Sequence, residues 1–166
     1  MAIFPIRTWG DLGLTTPAEK VTEIDAALRR LVDDMFETMY DAPGVGLAAP
    51  QIGITKRIFV FDVGEGQRVA INPELVETSG EWEFDEGCLS VPEKFWPLVR
   101  PSFARVRATD LDGEPVEYAG EEVLGRVLQH EMDHLDGLLI LDRLPRRKRK
   151  EALRQLRAEA MGLAEG

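Results

Sequence analysis

Two histidines four residues apart, with a glutamate directly after the first, stand in Gln129-His130-Glu131-Met132-Asp133-His134. They are the only histidines in the chain. On an α-helix, residues four apart lie one above the other on one face. Two imidazoles so placed can share one metal ion, while Glu131 is turned aside and free to move protons. That is the layout of a hydrolytic metal site. Val123 and Val127 continue the same face one and two turns earlier, where an exposed helix would carry charge.

Two histidines leave a catalytic metal one protein ligand short. Asp136 and Asp142 are generic downstream acids, and upstream stands the single cysteine, Cys88, in Glu86-Gly87-Cys88-Leu89-Ser90-Val91-Pro92. A thiolate is a good ligand for zinc or ferrous iron. A lone cysteine is otherwise a small buried hydrophobe. The Gly-Cys-Leu-Ser-Val-Pro setting reads as a tight turn suited to a ligand loop, and on residue types alone the two readings stand level.

A third segment, Gly44 to Gly53 (GVGLAAPQIG), has two glycines that let backbone approach a ligand closely. It lacks the spacing of a phosphate-binding loop. Its Gln51 amide can donate to a developing oxyanion; taken singly, the segment equally reads as a surface loop. Val45, Phe84, Val123 and Val127 can line an apolar slot beside the ion, with core packing as the competing reading. Glu86 is expected beside the substrate. Pairing with Arg100 to brace the cysteine loop is weighed against both charges facing water. Asp133 points away from His130 and reads as a structural salt-bridge former.

These side chains need elements to carry them. Thr22 can cap a helix over 23–40, with Ile24, Leu28, Leu31, Met35 and Met39 as its buried stripe. RIFVFDV, RVAI before Asn72-Pro73, and ELVET read as strands. Residues 104–109 and 115–118 flank an Asp-Gly hairpin turn. The metal helix is expected over 121–136, stopped at Gly137. A last helix is expected over 146–161, with Leu153, Leu156 and Ala160 inward. Strands grouped between helices, without alternating βα units, point to an α+β fold with a C-terminal helix.

The 166 residues suit a single domain, 1–166. A net charge of −10 argues against a protein built to coat nucleic acid. No apolar run is long enough to cross a membrane, and the N-terminus reads as lacking an export leader. The lone cysteine suits a reducing cytoplasm. Against the acidic background, Arg146 to Lys150 (RRKRK), then Arg154 and Arg157, form a basic stretch near the C-terminus. It reads either as a solvated face or as a surface that docks on ribosomal RNA.

Taken together and in order, Gly44–Gln51, Glu86–Ser90 and Gln129–His134 resemble the bacterial-type peptide deformylase family. The resemblance extends over nearly the whole chain and implies antiparallel β-sheets packed around a central metal-bearing helix, with a C-terminal helix. It implies one divalent metal ion held by Cys88, His130 and His134, normally ferrous iron, with zinc, nickel or cobalt tolerated. It further implies Glu131 as general acid and base, Gln51 and the Leu89 amide on the formyl oxygen, and Gly46 close to the substrate chain. The implied reaction removes the N-formyl group from the initiator methionine of nascent chains and releases formate; a monomer is expected. Two departures stand out: Leu12 follows Asp11 where many relatives have proline, and Phe95-Trp96 sits where relatives vary. A general endopeptidase and a non-catalytic metal-stapled module are the competing readings, disfavoured by the thiolate ligand and by the presence of both Glu131 and Gln51.

Overall fold

The computed structural model describes residues 2–162. Its elements are α1 (Ala26–Asp41), β1 (Gly46–Ala48), β2 (Ile58–Phe61), β3 (Arg68–Ser79), β4 (Trp82–Cys88), β5 (Val91–Arg100), β6 (Phe103–Thr109), β7 (Pro115–Glu121), α2 (Glu122–Leu135), α3 (Ile140–Arg143) and α4 (Arg146–Ala160). Short 3₁₀ turns lie at Leu12–Thr15 and Ala49–Ile52. The fold is α+β. Five strands form one antiparallel sheet in the order β1-β2-β3-β6-β7, and β4 and β5 form a separate hairpin.

Strand alternation sends neighbouring residues to opposite faces of the five-stranded sheet. Phe59 and Phe61 join Val127, Leu128, Met132 and Leu135 of α2 in one core. Ile58 and Val60 join Leu28, Val32, Met35 and Met39 of α1 in another. The metal helix is therefore held along its apolar side by the sheet. Gly125 lets the helix backbone sit close, since a Cβ there would stand 2.7 Å from the Ser102 carbonyl oxygen. A third core packs Val91 and Leu98 of the β4–β5 hairpin against Ile140, Leu141, Ala152 and Leu156.

Several boundaries differ from expectation. The cap of α1 is Asp25, not Thr22: its carboxylate accepts the Leu28 N–H at 2.9 Å. The preceding stretch is held extended because Asn72 donates to the Val21 carbonyl and accepts from its N–H, at 2.9 and 2.8 Å. That clamp also explains why β3 runs through Asn72-Pro73, where two strands were expected. The ladder is irregular there, and Asn72 takes φ 50°, a left-handed conformation asparagine tolerates. The helix α2 ends as expected at Gly137, whose φ is +78° and whose missing Cβ would meet the Thr15 carbonyl at 2.8 Å. Ala160 is exposed, whereas Ala152 is buried beside Leu156; the inward stripe of α4 thus lies nearer its start.

Candidate metal centre and cleft

The turn expected around Cys88 is the tip of a hairpin. Cys88 closes β4, Leu89 and Ser90 make the turn, and Val91 opens β5. Alternation along β4 places Trp82, Phe84 and Glu86 on one face, and beyond them the ladder shifts register between Gly87 and Cys88. Cys88 Sγ lies 3.3 Å from His134 Nε2, which lies 3.1 Å from His130 Nε2. All three donor atoms fall within 4.8 Å of one another. Two nitrogens around a tetrahedral ion at ordinary bond lengths stand about 3.4 Å apart. The donor set fits a divalent cation in both chemistry and spacing.

The orientation of His130 has a visible cause. Glu86 Oε2 meets His130 Nδ1 at 2.7 Å, leaving Nε2 for the ion, as is usual for ligating imidazoles. Glu86 also takes Arg100 on both oxygens, at 2.9 and 2.8 Å, and Arg126 at 3.2 Å. Arg100 in turn donates to Asp133 at 2.8 Å, and Asp133 holds Arg143 at 3.0 and 2.7 Å. Asp133 is thus in the salt-bridge role expected of it. Burial alone would raise the Glu86 pKa, but hydrogen bonds to His130 and Arg100, with their charges, outweigh it and bring it to about 2.

Charge within the cluster follows the same logic. Burial pushes the Cys88 thiol up, yet the charges of His134 and His130 prevail and bring it well below its usual range. Burial opposes a charge on His130, but the Cys88 thiolate and Glu86 lift it well above its ordinary value. Both shifts favour the charged forms, and a cation bound here would take the place of a proton on the imidazoles.

Glu131 is buried, and its Oε2 has no hydrogen-bond partner among the described residues. Burial raises its pKa above the usual carboxylate range, against the pull of the two histidines. A Cβ on Gly46 would stand 3.1 Å from that carboxyl group, so glycine keeps the space beside it clear. The Gln51 amide is oriented by the Ala48 N–H, which its Oε1 accepts at 2.9 Å. Its Nε2 therefore faces the site, 3.8 Å from Cys88 Sγ and 3.2 Å from Ser90 Oγ.

A cleft of about 710 Å³ opens on this centre, and Val45, Gly46, Gln51, Phe84, Leu89, Val123 and Val127 all line it. Glu86 lines it too, but its carboxylate is engaged by His130 and the two arginines. The two downstream acids lie elsewhere: Asp136 pairs with Arg57 and Asp142 with Arg149, each at 3.0 Å. Sequence reasoning passed over Ser90, Arg126 and Trp82. A signal existed for Arg126, which stands one helical turn before His130. Ser90 and Trp82 carry no pattern of their own.

A family model described as polypeptide deformylase matches residues 3–150. The chain belongs to the polypeptide deformylase family. It is an enzyme of the kind that removes formyl groups. A peptide deformylase of Acidothermus cellulolyticus is 50% identical over 157 residues, covering 95% of this chain and 87% of that protein. The crystal structure of a Legionella pneumophila deformylase matches with a TM-score of 0.89 at 44% identity, covering 99% of this chain and 100% of that one. A deformylase of Ehrlichia chaffeensis in complex with actinonin matches at 0.90 and 39% identity, over 96% and 98%. No helix among the described residues is long and apolar enough to cross a membrane.

Proposed function

We propose that this deformylase is a metal-dependent hydrolase that takes the N-formyl group from the initiator methionine of nascent chains and releases formate. The observation that carries the reading is the convergence of Cys88, His130 and His134 beside a buried carboxylate with a free oxygen. Cys88, His130 and His134 would hold the cation. Bound there, it would supply Lewis acidity and make water a competent nucleophile near neutral pH. Ferrous iron is the ion proposed, with zinc, nickel and cobalt as substitutes; thiolate and imidazole donors suit all of them.

The chain's own residues supply the rest. Glu131, its proton affinity raised by burial, accepts a proton from the attacking water. The water oxygen adds to the formyl carbon, and negative charge gathers on the formyl oxygen. There the Gln51 Nε2 group and the Leu89 amide donate. Glu131 then returns the proton to the leaving amine as the carbon–nitrogen bond breaks, giving formate and a free N-terminus. Val45, Gly46, Phe84, Val123 and Val127 seat the methionine, with Glu86 beside them in the lining of the cleft.

The chain 1–166 is proposed to act as one catalytic domain, a cytoplasmic monomer. The basic side chains at the start of α4 are exposed, which supports docking on ribosomal RNA. Co-sedimentation with ribosomes should weaken with salt and vanish on deletion from Arg146 onward.

The deciding assay is formate release from a formyl-methionyl tripeptide by anaerobically purified protein, with metal analysis. One ion per chain is expected, with activity lost to a chelator and reduced at least ~100-fold in Glu131→Ala. Undiminished turnover by metal-free protein, or by that variant, would refute the reading.

A further inference from the structure

The face of β4 that carries Glu86 does not end at the metal centre. Two residues before Glu86, about 7 Å along the strand, comes Phe84, and two before that Trp82. Their rings stack, with centroids 4.7 Å apart and planes 22° from parallel. Arg126 of α2 locks this pair. Its guanidinium lies 5.4 Å from the Trp82 ring centre and 5.9 Å from that of Phe84. It also donates to the Trp82 carbonyl oxygen and, at 3.2 Å, to Glu86. Phe84 is 38% exposed and lines the cleft, as do Val123 and Val127. The lining of the cleft therefore combines two unlike surfaces: branched aliphatic carbon on α2, and a stacked aromatic ring on β4.

Resting on the deformylase reading above, we propose that the Trp82–Phe84–Arg126 stack makes Phe84 a specificity-determining residue that selects a thioether side chain over a hydrocarbon of the same length. Sulfur is soft and polarizable and gains from contact with an aromatic ring. The stack matters because it holds the ring in one place, so that seating the side chain does not have to order it as well. A wall of aliphatic carbon would make no such distinction. Norleucine replaces the sulfur of methionine by a methylene, fills the same length and is no less apolar, so an ordinary apolar slot would take it equally well.

The test compares kcat/KM for a formyl-methionyl and a formyl-norleucyl tripeptide with the same second and third residues, using metal-loaded enzyme. The wild type should prefer methionine about fivefold, which is about 1 kcal/mol at 1.4 kcal/mol per tenfold. In Phe84→Leu, which keeps an apolar side chain of similar reach without the ring, the ratio should fall to about one. In Trp82→Leu, which leaves Phe84 in place but unsupported, it should fall part of the way. A wild-type ratio near one overturns the proposal without recourse to a variant, and so does an unchanged ratio in Phe84→Leu. Failure to hydrolyse either peptide would instead remove the deformylase reading, and the selection with it.

Discussion

Replacing Glu86 by glutamine tests the central ion network with a change of one atom. In the native protein both oxygens are doubly used: Oε1 by Arg100 Nε and Arg126 Nη1, Oε2 by Arg100 Nη2 and His130 Nδ1, at 2.7 to 3.2 Å. Glutamine offers one acceptor and one donor, so half of these bonds become donor against donor. Removing one partner of a buried ion pair costs ~3–5 kcal/mol. Arg100 keeps Asp133 at 2.8 Å, which places the expected loss near the lower end. The depression of the Glu86 pKa from 4.5 to about 2 gives a comparable figure, ~3 kcal/mol at 1.36 kcal/mol per pH unit. Because the folded pKa is depressed, this stability is fully present above pH ~4.5, where unfolded glutamate ionises, and is lost as pH falls toward 2. Urea unfolding of the metal-free proteins should therefore show Glu86→Gln ~3 kcal/mol less stable at pH 7, with the gap closing between pH 4.5 and 2. Metal affinity should fall about 10–100-fold, because His130 loses the carboxylate that fixes its ring. A gap under ~1 kcal/mol, a gap that does not change with pH, or an unaltered affinity would refute the reasoning.

Two other changes separate rate from stability. Gln51→Leu removes the proposed donor to the formyl oxygen and should lower kcat about 100-fold, with little change in KM for the formyl-methionyl tripeptide. It also strands the buried Ala48 N–H, so calorimetry should show a destabilisation of ~1–3 kcal/mol. Gly125→Ala would bring a methyl group to 2.7 and 2.8 Å of the Ser102 and Gly120 carbonyl oxygens, both backbone. It should cost ~1–3 kcal/mol in thermal unfolding, while the folded fraction retains its kcat.

The sequence by itself determined the two imidazole donors and the carboxylate between them. Helical periodicity stacks His130 on His134 and carries Val123 and Val127 on the same face, and Asp-Gly and Gly137 mark a turn and a helix end. These are local properties, set by the rise and turn of one element. Tertiary structure decided what those donors meet. Which of Cys88, Asp136 and Asp142 joins the imidazoles depends on a β-hairpin packed across from α2, at 42 to 46 residues' separation. Glu86 reads as a loop charge beside substrate, in water or paired with Arg100, and packing decides: alternation along β4 turns it inward to Arg100, Arg126 and His130. Burial then makes pairing obligatory, because an unpaired buried charge costs more than any local preference supplies. The stacked ring on Phe84 arises the same way, from a strand face that only packing against α2 brings beside the metal centre.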